Sequence, residues 1–244
     1  MDLSGLKTVS VFTRGGKVAA TDFAAPHREG ARLGEWLDKL PKLLAANTLR
    51  AVVDRICQAR ELGKPVIWGM GGHVVKCGLA PVLIDLMQRG LISAFAMNGS
   101  TSIHDFEIGI CGATSEDVEA VLPDGTFGSA EETGRWMNEA ISAGAADGIG
   151  MGECLGQKLD VVGKPDFLQQ SILHAAWTAG VPVTVHVALG TDTPHTHPIA
   201  DGAAIGAATL LDFRLLCRLV SGLDDGGVYV NCGSAVVLPE VFLK

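Results

Sequence analysis

Residues 66–107, VIWGMGGHVVKCGLAPVLIDLMQRGLISAFAMNGSTSIHDFE, constrain the fold more than any other part of the chain. A short apolar run, Val66-Ile67-Trp68, leads into a glycine turn, Gly69-Met70-Gly71-Gly72. Apolar residues at helical spacing (Leu79, Val82, Leu83, Leu86, Met87) then predict a helix over 74–88. A second apolar run over 91–97 stops at Asn98-Gly99-Ser100. This is a strand, a glycine turn, a helix, a strand and a polar turn: one βαβ unit. Ligands of such units bind outside the carboxyl ends of the strands, where free backbone N–H groups and a helix N-terminus face an anion. The turn lacks the full G-x-G-x-x-G spacing, and no acidic residue closes the second strand to hold a ribose. A phosphate-binding turn and a merely tight turn are both open on pattern alone.

The same signals recur downstream. VPVTVHVAL over 181–189 is a buried strand ending at Gly190-Thr191-Asp192-Thr193, and 227–231 is another, ending at Cys232-Gly233-Ser234. Helices are expected over 101–109 (with Ser100 or Thr101 as N-cap), 129–143, 165–179 and 200–219. Residues 112–128 are expected to be loop, and the glycine-rich 144–163 holds at most a short helix. A further helix begins at Ala235, and C-terminal sequence is expected beyond Lys244, because Val241, Phe242 and Leu243 would otherwise have little to pack on. The fold class is α/β: a Rossmann-like, doubly wound, mostly parallel sheet with helices on both faces. An N-terminal arm over 1–33 precedes a single domain over 34–244. Thirty-one glycines and a chain that is 48% hydrophobic and aromatic-poor agree with many βα turns.

Composition excludes several functions. A net charge of −8 with no basic cluster argues against nucleic-acid binding. No signal-peptide core and no run of about 18 apolar residues is present, so no membrane role is expected and the compartment expected is the cytoplasm. The six cysteines (57, 77, 111, 154, 217, 232) are scattered without a C-x-x-C pair, which disfavours zinc ribbons and disulfide frameworks. Each is taken as a small buried hydrophobe, with Cys232 set apart by its place at a strand end. There is no G-x-S-x-G elbow and no Walker lysine motif.

Four polar strand ends converge on one rim of a parallel sheet, which points to a cofactor cleft with Asn98, Asp105, Asp192 and Ser234 as polar contacts. His73 and His104 are placed to contact a phosphate or ribose or to cap helices. His186 fits a hydrogen-bonded core residue. His195-x-His197 beside Asp192 is the one weak metal-like pattern, with a solvated, proline-held loop as its alternative.

With these residues in view, the chain resembles the deoxyhypusine synthase family. GMGGHVVKCG, the helix after it and MNGSTSIHDFE align without gaps on the family's G-x-T-S-N-x-x-S-S-G turn, its helix and its T-T-x-x-x-x-x-x-D segment; archaeal-type members carry a similar His-Asp pair. HVALGTDT is similar to the family's strand ending in T-D-G, and GGVYVNCGSAVV to the strand ending in a triple-glycine turn. The resemblance covers residues 60–244. It implies a Rossmann-like NAD site and a homotetramer with NAD at dimer interfaces. It also implies a transferase chemistry in which spermidine is oxidised and its butylamine group passes through an enzyme lysine. NAD contacts carry over to Gly71, Gly72, His73, Asn98, Gly99, Ser100, His104, Asp192, Gly233 and Ser234.

The chain departs from that pattern where Val237, Leu238 and Pro239 replace the amine-binding histidine, and where it ends before the family's lysine segment. His104 stands where some members place a glutamate against NAD. Lys76, the only lysine near the expected rim, is a remote substitute candidate in the first turn of a helix, with a solvated surface lysine as its alternative. These readings lead to an NAD-dependent, deoxyhypusine-synthase-like transferase or oxidoreductase, acting on an amine or similar small substrate without deoxyhypusine synthesis. Asp105, Asp192 and His104 are its candidate catalytic residues and Glu107 a further carboxylate. The alternatives are a non-catalytic NAD-binding or assembly protein and a metal-dependent hydrolase using His195, His197 and Asp192. A homo-oligomer, a tetramer, is expected from apolar surplus in 140–163 and 200–219.

Overall fold

A computed structural model describes all residues 1–244. The chain divides into two compact units, Met1–Arg55 and Ile56–Lys244. The first holds α1 (Leu33–Lys39) and most of α2 (Leu44–Glu61), with a short 3-10 turn at Ala20–Asp22 and no strand. Arg50 anchors it, its guanidinium donating to the carbonyls of Leu37, Leu40 and Pro41.

The second unit is a Rossmann-like α/β fold. Four parallel strands, β1 (Val66–Met70), β2 (Ala94–Asn98), β3 (Val183–His186) and β4 (Val228–Cys232), lie in the order β3-β2-β1-β4. The chain moves outward from β1 to β3, then returns to lay β4 on the other side of β1. Strand order therefore reverses between β1 and β4. Side chains alternate across the sheet, and both faces are covered, as a parallel sheet requires. Met70, Phe95, Met97, Val183 and Val185 enter the larger core. Ile67, Ala94 and Ala96 point to the opposite face.

Between β1 and β2 the chain forms α3 (His73–Lys76) and α4 (Ala80–Gln88). The single helix expected over 74–88 is broken because Gly78 takes φ +76 and Pro81 sits in the first turn of α4, where a missing N–H costs nothing. From β2 the chain passes through α5 (Gly99–Cys111), α6 (Val118–Val121), α7 (Glu131–Asp147), α8 (Met151–Val162), α9 (Pro165–Leu168) and α10 (Ile172–Ala179) to β3. The N-cap of α5 is Asn98, not Ser100 or Thr101: its side chain accepts from Thr101 N–H at 3.0 Å. The region expected to be largely loop holds the twelve-residue α8. Gly152 and Gly156 stand inside α8, where a Cβ would overlap the Val183 carbonyl or lie 2.7 Å from Trp177 Cβ. They let α8 pack closely on β3 and α10 rather than break it. The helix expected over 165–179 is split at Ser171, which caps α10.

The helix α11 (Gly202–Val220) connects β3 to β4, and α12 (Val237–Phe242) follows β4. Leu216 of α11 and Leu238 of α12 fill the second, smaller core. The apolar surplus over 140–163 is spent within this unit: Ile141, Met151, Cys154, Leu155 and Leu159 are all buried in the larger core. Of the cysteines only Cys154 is a buried hydrophobe; Cys57, Cys77, Cys111 and Cys217 are exposed and Cys232 is half-buried, and all six are free. No helix is long and apolar enough to cross a membrane.

Candidate functional site

The four parallel strands end on one rim, and a cleft of about 240 Å³ opens there among the segments that follow β1, β2 and β3, with none that follows β4. Lys76, Ser100, His104, Glu107, Thr133 and Asp192 supply its polar wall, and Ile103, Val118 and Phe127 its apolar one.

Helix α5 sets the chemistry of the cleft. Positions 100, 104 and 107 are spaced i, i+4, i+7, so Ser100, His104 and Glu107 lie along one helical face. Asp105 is a step of about 100° away and faces the core. His104 Nδ1 is 2.7 Å from Thr114 Oγ1. Thr114 Oγ1 in turn donates a short hydrogen bond to Glu107 Oε2, and Thr133 Oγ1 donates to Glu107 Oε1 at 3.2 Å. An ionised carboxylate only accepts, and a hydroxyl has one proton. With the Thr114 proton directed at Glu107, its oxygen can only accept from His104 Nδ1–H. The neutral ring is thereby fixed as the Nδ1–H tautomer, which leaves the Nε2 lone pair free. Burial works to raise the Glu107 carboxyl, but the nearby His104 ring and the bonds from Thr114 and Thr133 together outweigh it and hold the group below its usual range.

Asp192 begins the 3-10 turn Thr193–Thr196 and sends its carboxylate back against Gly99, the first residue of α5. A Cβ at Gly99 would overlap that carboxylate. Its Oδ2 is buried with no hydrogen-bond partner. Burial raises the Asp192 carboxyl, opposed by His195 and Thr191.

The structure redistributes several expected roles. Asp105 is fully buried and accepts from Ser171 Oγ, Ile172 N–H and Leu173 N–H at 2.7–2.8 Å. It caps α10 and lies outside the cleft, so the catalytic expectation for it is corrected. Burial pushes its carboxyl up to about 6. The Asn98 side chain is engaged by Thr101 N–H and Oγ1, and Ser234 Oγ accepts from Leu238 N–H in the first turn of α12. Gly71 packs on Gly233, and its N–H donates to the Cys232 carbonyl at 3.0 Å. Gly72 admits Ser100 and His104, since a Cβ there would lie 3.0 Å from His104 Cδ2 and overlap Ser100 Oγ. His73 is exposed at the start of α3. Lys76 lines the cleft but is the last residue of α3, so it faces the negative end of that short helix, which removes the helix-end argument for a neutral amine. His186 is a core residue as expected, 2.9 Å from Thr184 Oγ1, with burial pushing it down to about 4.

The two rings of the His-x-His pair are held by different partners. His195 Nδ1 accepts from Gly190 N–H within its own loop, while His197 packs on Gly134 and bonds Glu131 at 3.2 Å. The two rings are engaged separately, and no group of three or more His, Cys, Asp or Glu side chains is arranged to hold an ion.

Thr114 and Thr133 escaped the sequence reading. Thr114 lies in a loop whose contacts with α5 leave no periodic signal, and Thr133 reads as an ordinary first-turn residue of α7. Asp212 was missed as well, although its spacing with Ile205, Ala208 and Leu216 is a readable sign of an acidic group on a core face.

No family model matches the sequence, and no curated protein matches it. Solved structures with a similar fold include ArgZ, an arginine dihydrolase from the ornithine–ammonia cycle in cyanobacteria (14% identity, 82% of this chain, TM-score 0.50). They also include a deoxyhypusine synthase candidate from Entamoeba histolytica (12% identity, 89% of this chain, TM-score 0.49) and AgrE in a ternary complex with ornithine and NAD+ (14% identity, 72% of this chain, TM-score 0.46). The chain spans 26% of the ArgZ chain, 23% of the AgrE chain and 94% of the Entamoeba chain. The likeness to ArgZ is one of fold alone, and the other two superpose more weakly.

Proposed function

We propose that residues 56–244 form the NAD-binding unit of a divergent enzyme that acts on an amine or a similarly cationic small substrate. The observation that carries this reading is the position of the cleft. It opens at the carboxyl rim of a parallel sheet, the side on which such sheets take ligands, among the segments that follow β1, β2 and β3, and the reversal of strand order between β1 and β4 lies on the same rim.

The residues present fit the cofactor with several changes from the sequence expectation. The α5 N-terminus is already filled by the Asp192 carboxylate, so Asn98 and Gly99 are not the phosphate contacts. Gly72, His73 and Ser100 remain for the phosphates and ribose, and Asp192 Oδ2 is a buried acceptor lacking a donor. When bound, NAD supplies a hydride acceptor. The protein supplies the rest. The free Nε2 of His104 takes a proton from the substrate head group. Glu107, through Thr114, steadies the ring as it becomes charged. Asp192 opposes the positive charge on the substrate nitrogen.

The test is a thermal melt with millimolar NAD followed by a search for amine-dependent NADH absorbance. A ligand at a hundredfold excess over its dissociation constant stabilises the native state by about 2.7 kcal/mol. An unmoved melting temperature refutes NAD binding. A shift without any amine-dependent NADH leaves a binding protein that performs no catalysis. We also propose a homotetramer; a mass of one chain, 25.4 kDa, by light scattering at micromolar concentration refutes it.

A further inference from the structure

A second cavity, of about 430 Å³, lies at the opposite pole of the unit, where β3 begins. It is bounded by the ends of α7 and α10, the start of α8 and one flank of α11. Its walls are Leu173, Trp177, Val183, Leu211 and Leu215, and its polar groups are Asp212 and Glu153. No Lys, Arg or His lines it.

Asp212 is 1% exposed, an acid on the buried face of an otherwise apolar helix. Its Oδ2 accepts from Gly152 N–H at 2.9 Å and Val185 N–H at 2.7 Å, which ties α11 to α8 and β3. Its Oδ1 lies against Gly150, a lining residue, where a Cβ would overlap it. Trp177 is held in place: its indole N–H donates to Asp160 Oδ2 at 2.8 Å, and its Cβ packs where Gly156 has no side chain. The carbonyl ends of α7 and α10, with C-caps Gly148 and Gly180, add partial negative charge at the mouth.

A carboxylate, a fixed aromatic face and apolar walls, with no cation among them, is a combination that recognises one kind of ligand. We infer that this cavity is a binding site for a small apolar molecule carrying a single cationic amine, whose head meets Asp212 and Trp177 and whose hydrocarbon body lies along Leu173, Leu211 and Leu215. The site is separate from the rim cleft and independent of NAD. Burial pushes the Asp212 carboxyl up to about 7, so it is an acid that a bound cation would help to ionise.

The test uses three probes with one skeleton: 4-phenylbutylamine, 4-phenylbutanol and 4-phenylbutyrate. Calorimetry measures affinity, and amide shifts in 1H–15N spectra of the full chain locate the site. The amine is expected to bind at least tenfold more tightly than the alcohol, with the carboxylate weakest. Shifts are expected at Gly148, Gly150, Gly152 and Gly180, and to persist with saturating NAD. Leu215→Trp, which fills the cavity without touching the polar ties, is expected to abolish binding; Asp212→Asn is expected to erase the preference for amine over alcohol. Circular dichroism melts confirm that both variants fold, and if Asp212→Asn does not, Leu215→Trp with the three probes decides. Equal binding of amine and alcohol, shifts confined to Gly128 and Gly134 at the rim cleft, or no binding of the amine would each overturn the inference.

Discussion

Replacing Thr114 by valine isolates the contact on which the role proposed for His104 rests. Valine keeps the branched shape and removes only the hydroxyl. Two groups then lose a partner: His104 Nδ1, now 2.7 Å from oxygen, and Glu107 Oε2. Both side chains are less than one-fifth exposed, so water replaces the hydroxyl incompletely. A hydrogen bond to a charged group contributes about 1.5–3 kcal/mol net. Thr133 still donates to Glu107, which places the loss near the lower end, about 1.5–2 kcal/mol, or a fall of roughly 3–8 °C in melting temperature for a chain of this size. The same free energy sets the tautomer: about 1.4 kcal/mol is a tenfold ratio, so removing the acceptor shifts the Nδ1–H to Nε2–H ratio by roughly ten- to thirtyfold. Long-range 15N–1H correlation spectra at pH 8 read the ring directly. Wild-type His104 is expected to carry its proton on Nδ1, and Thr114→Val to populate Nε2–H. A wild-type ring protonated on Nε2 refutes the hydrogen-bond accounting, and with it the assignment of Nε2 as the base, whatever the fate of the NAD reading.

Two further outcomes follow from buried carboxylates and their glycine neighbours. Burial raises the Asp212 carboxyl from its ordinary 3.8 to about 7, so the folded state holds its proton more strongly and stability falls as pH rises between the two. Wild type is expected to lose on the order of 2–3 kcal/mol between pH 5 and pH 8 relative to Asp212→Asn, measured by urea unfolding; parallel pH profiles for the two proteins would show that Asp212 is ionised throughout. Gly99→Ala is expected to cost about 1–3 kcal/mol, because the new methyl must displace the Asp192 carboxylate from the start of α5, and a melt unchanged within 1 °C would remove Asp192 from that position.

The architecture of the second unit was legible because periodicity and turn chemistry agree there. All four strands and their polar ends are visible in the sequence, since mostly apolar runs of three to nine residues stop at turns that carry glycine, asparagine or serine. The boundaries shifted where tertiary contacts decide them: β3 keeps only four residues of the nine-residue apolar run, and α5 starts two residues early because Asn98 is free to cap it. The helix α8 was illegible for a specific reason. Its stretch contains Gly148, Gly150, Gly152 and Gly156, and a glycine that ends a helix looks the same in sequence as one that admits a neighbour. Gly148 is the C-cap of α7, and Gly152 and Gly156 are contact positions inside α8.

The same ambiguity governs the site. Pattern reasoning treats a glycine or small polar residue at a strand end as an invitation to a ligand's phosphate. Here several of those positions are taken by the protein itself: Gly71 by Gly233, Gly99 by the carboxylate of Asp192, and the Asn98 and Ser234 side chains by N–H groups in the first turns of α5 and α12. What is left for chemistry is set by which polar atoms stay unmatched after this internal accounting. Two stand out on the rim, the lone pair of His104 Nε2 and the buried Oδ2 of Asp192. Neither could be read from spacing, because each depends on a loop residue, Thr114 in one case and the return of the 190–194 turn onto α5 in the other. An anion already resting at the α5 N-terminus also makes that helix end a poor place for a second negative charge. On the function we propose, the rim would therefore take a cationic substrate beside Asp192 and leave the phosphates of a dinucleotide to the Gly72–His73 side.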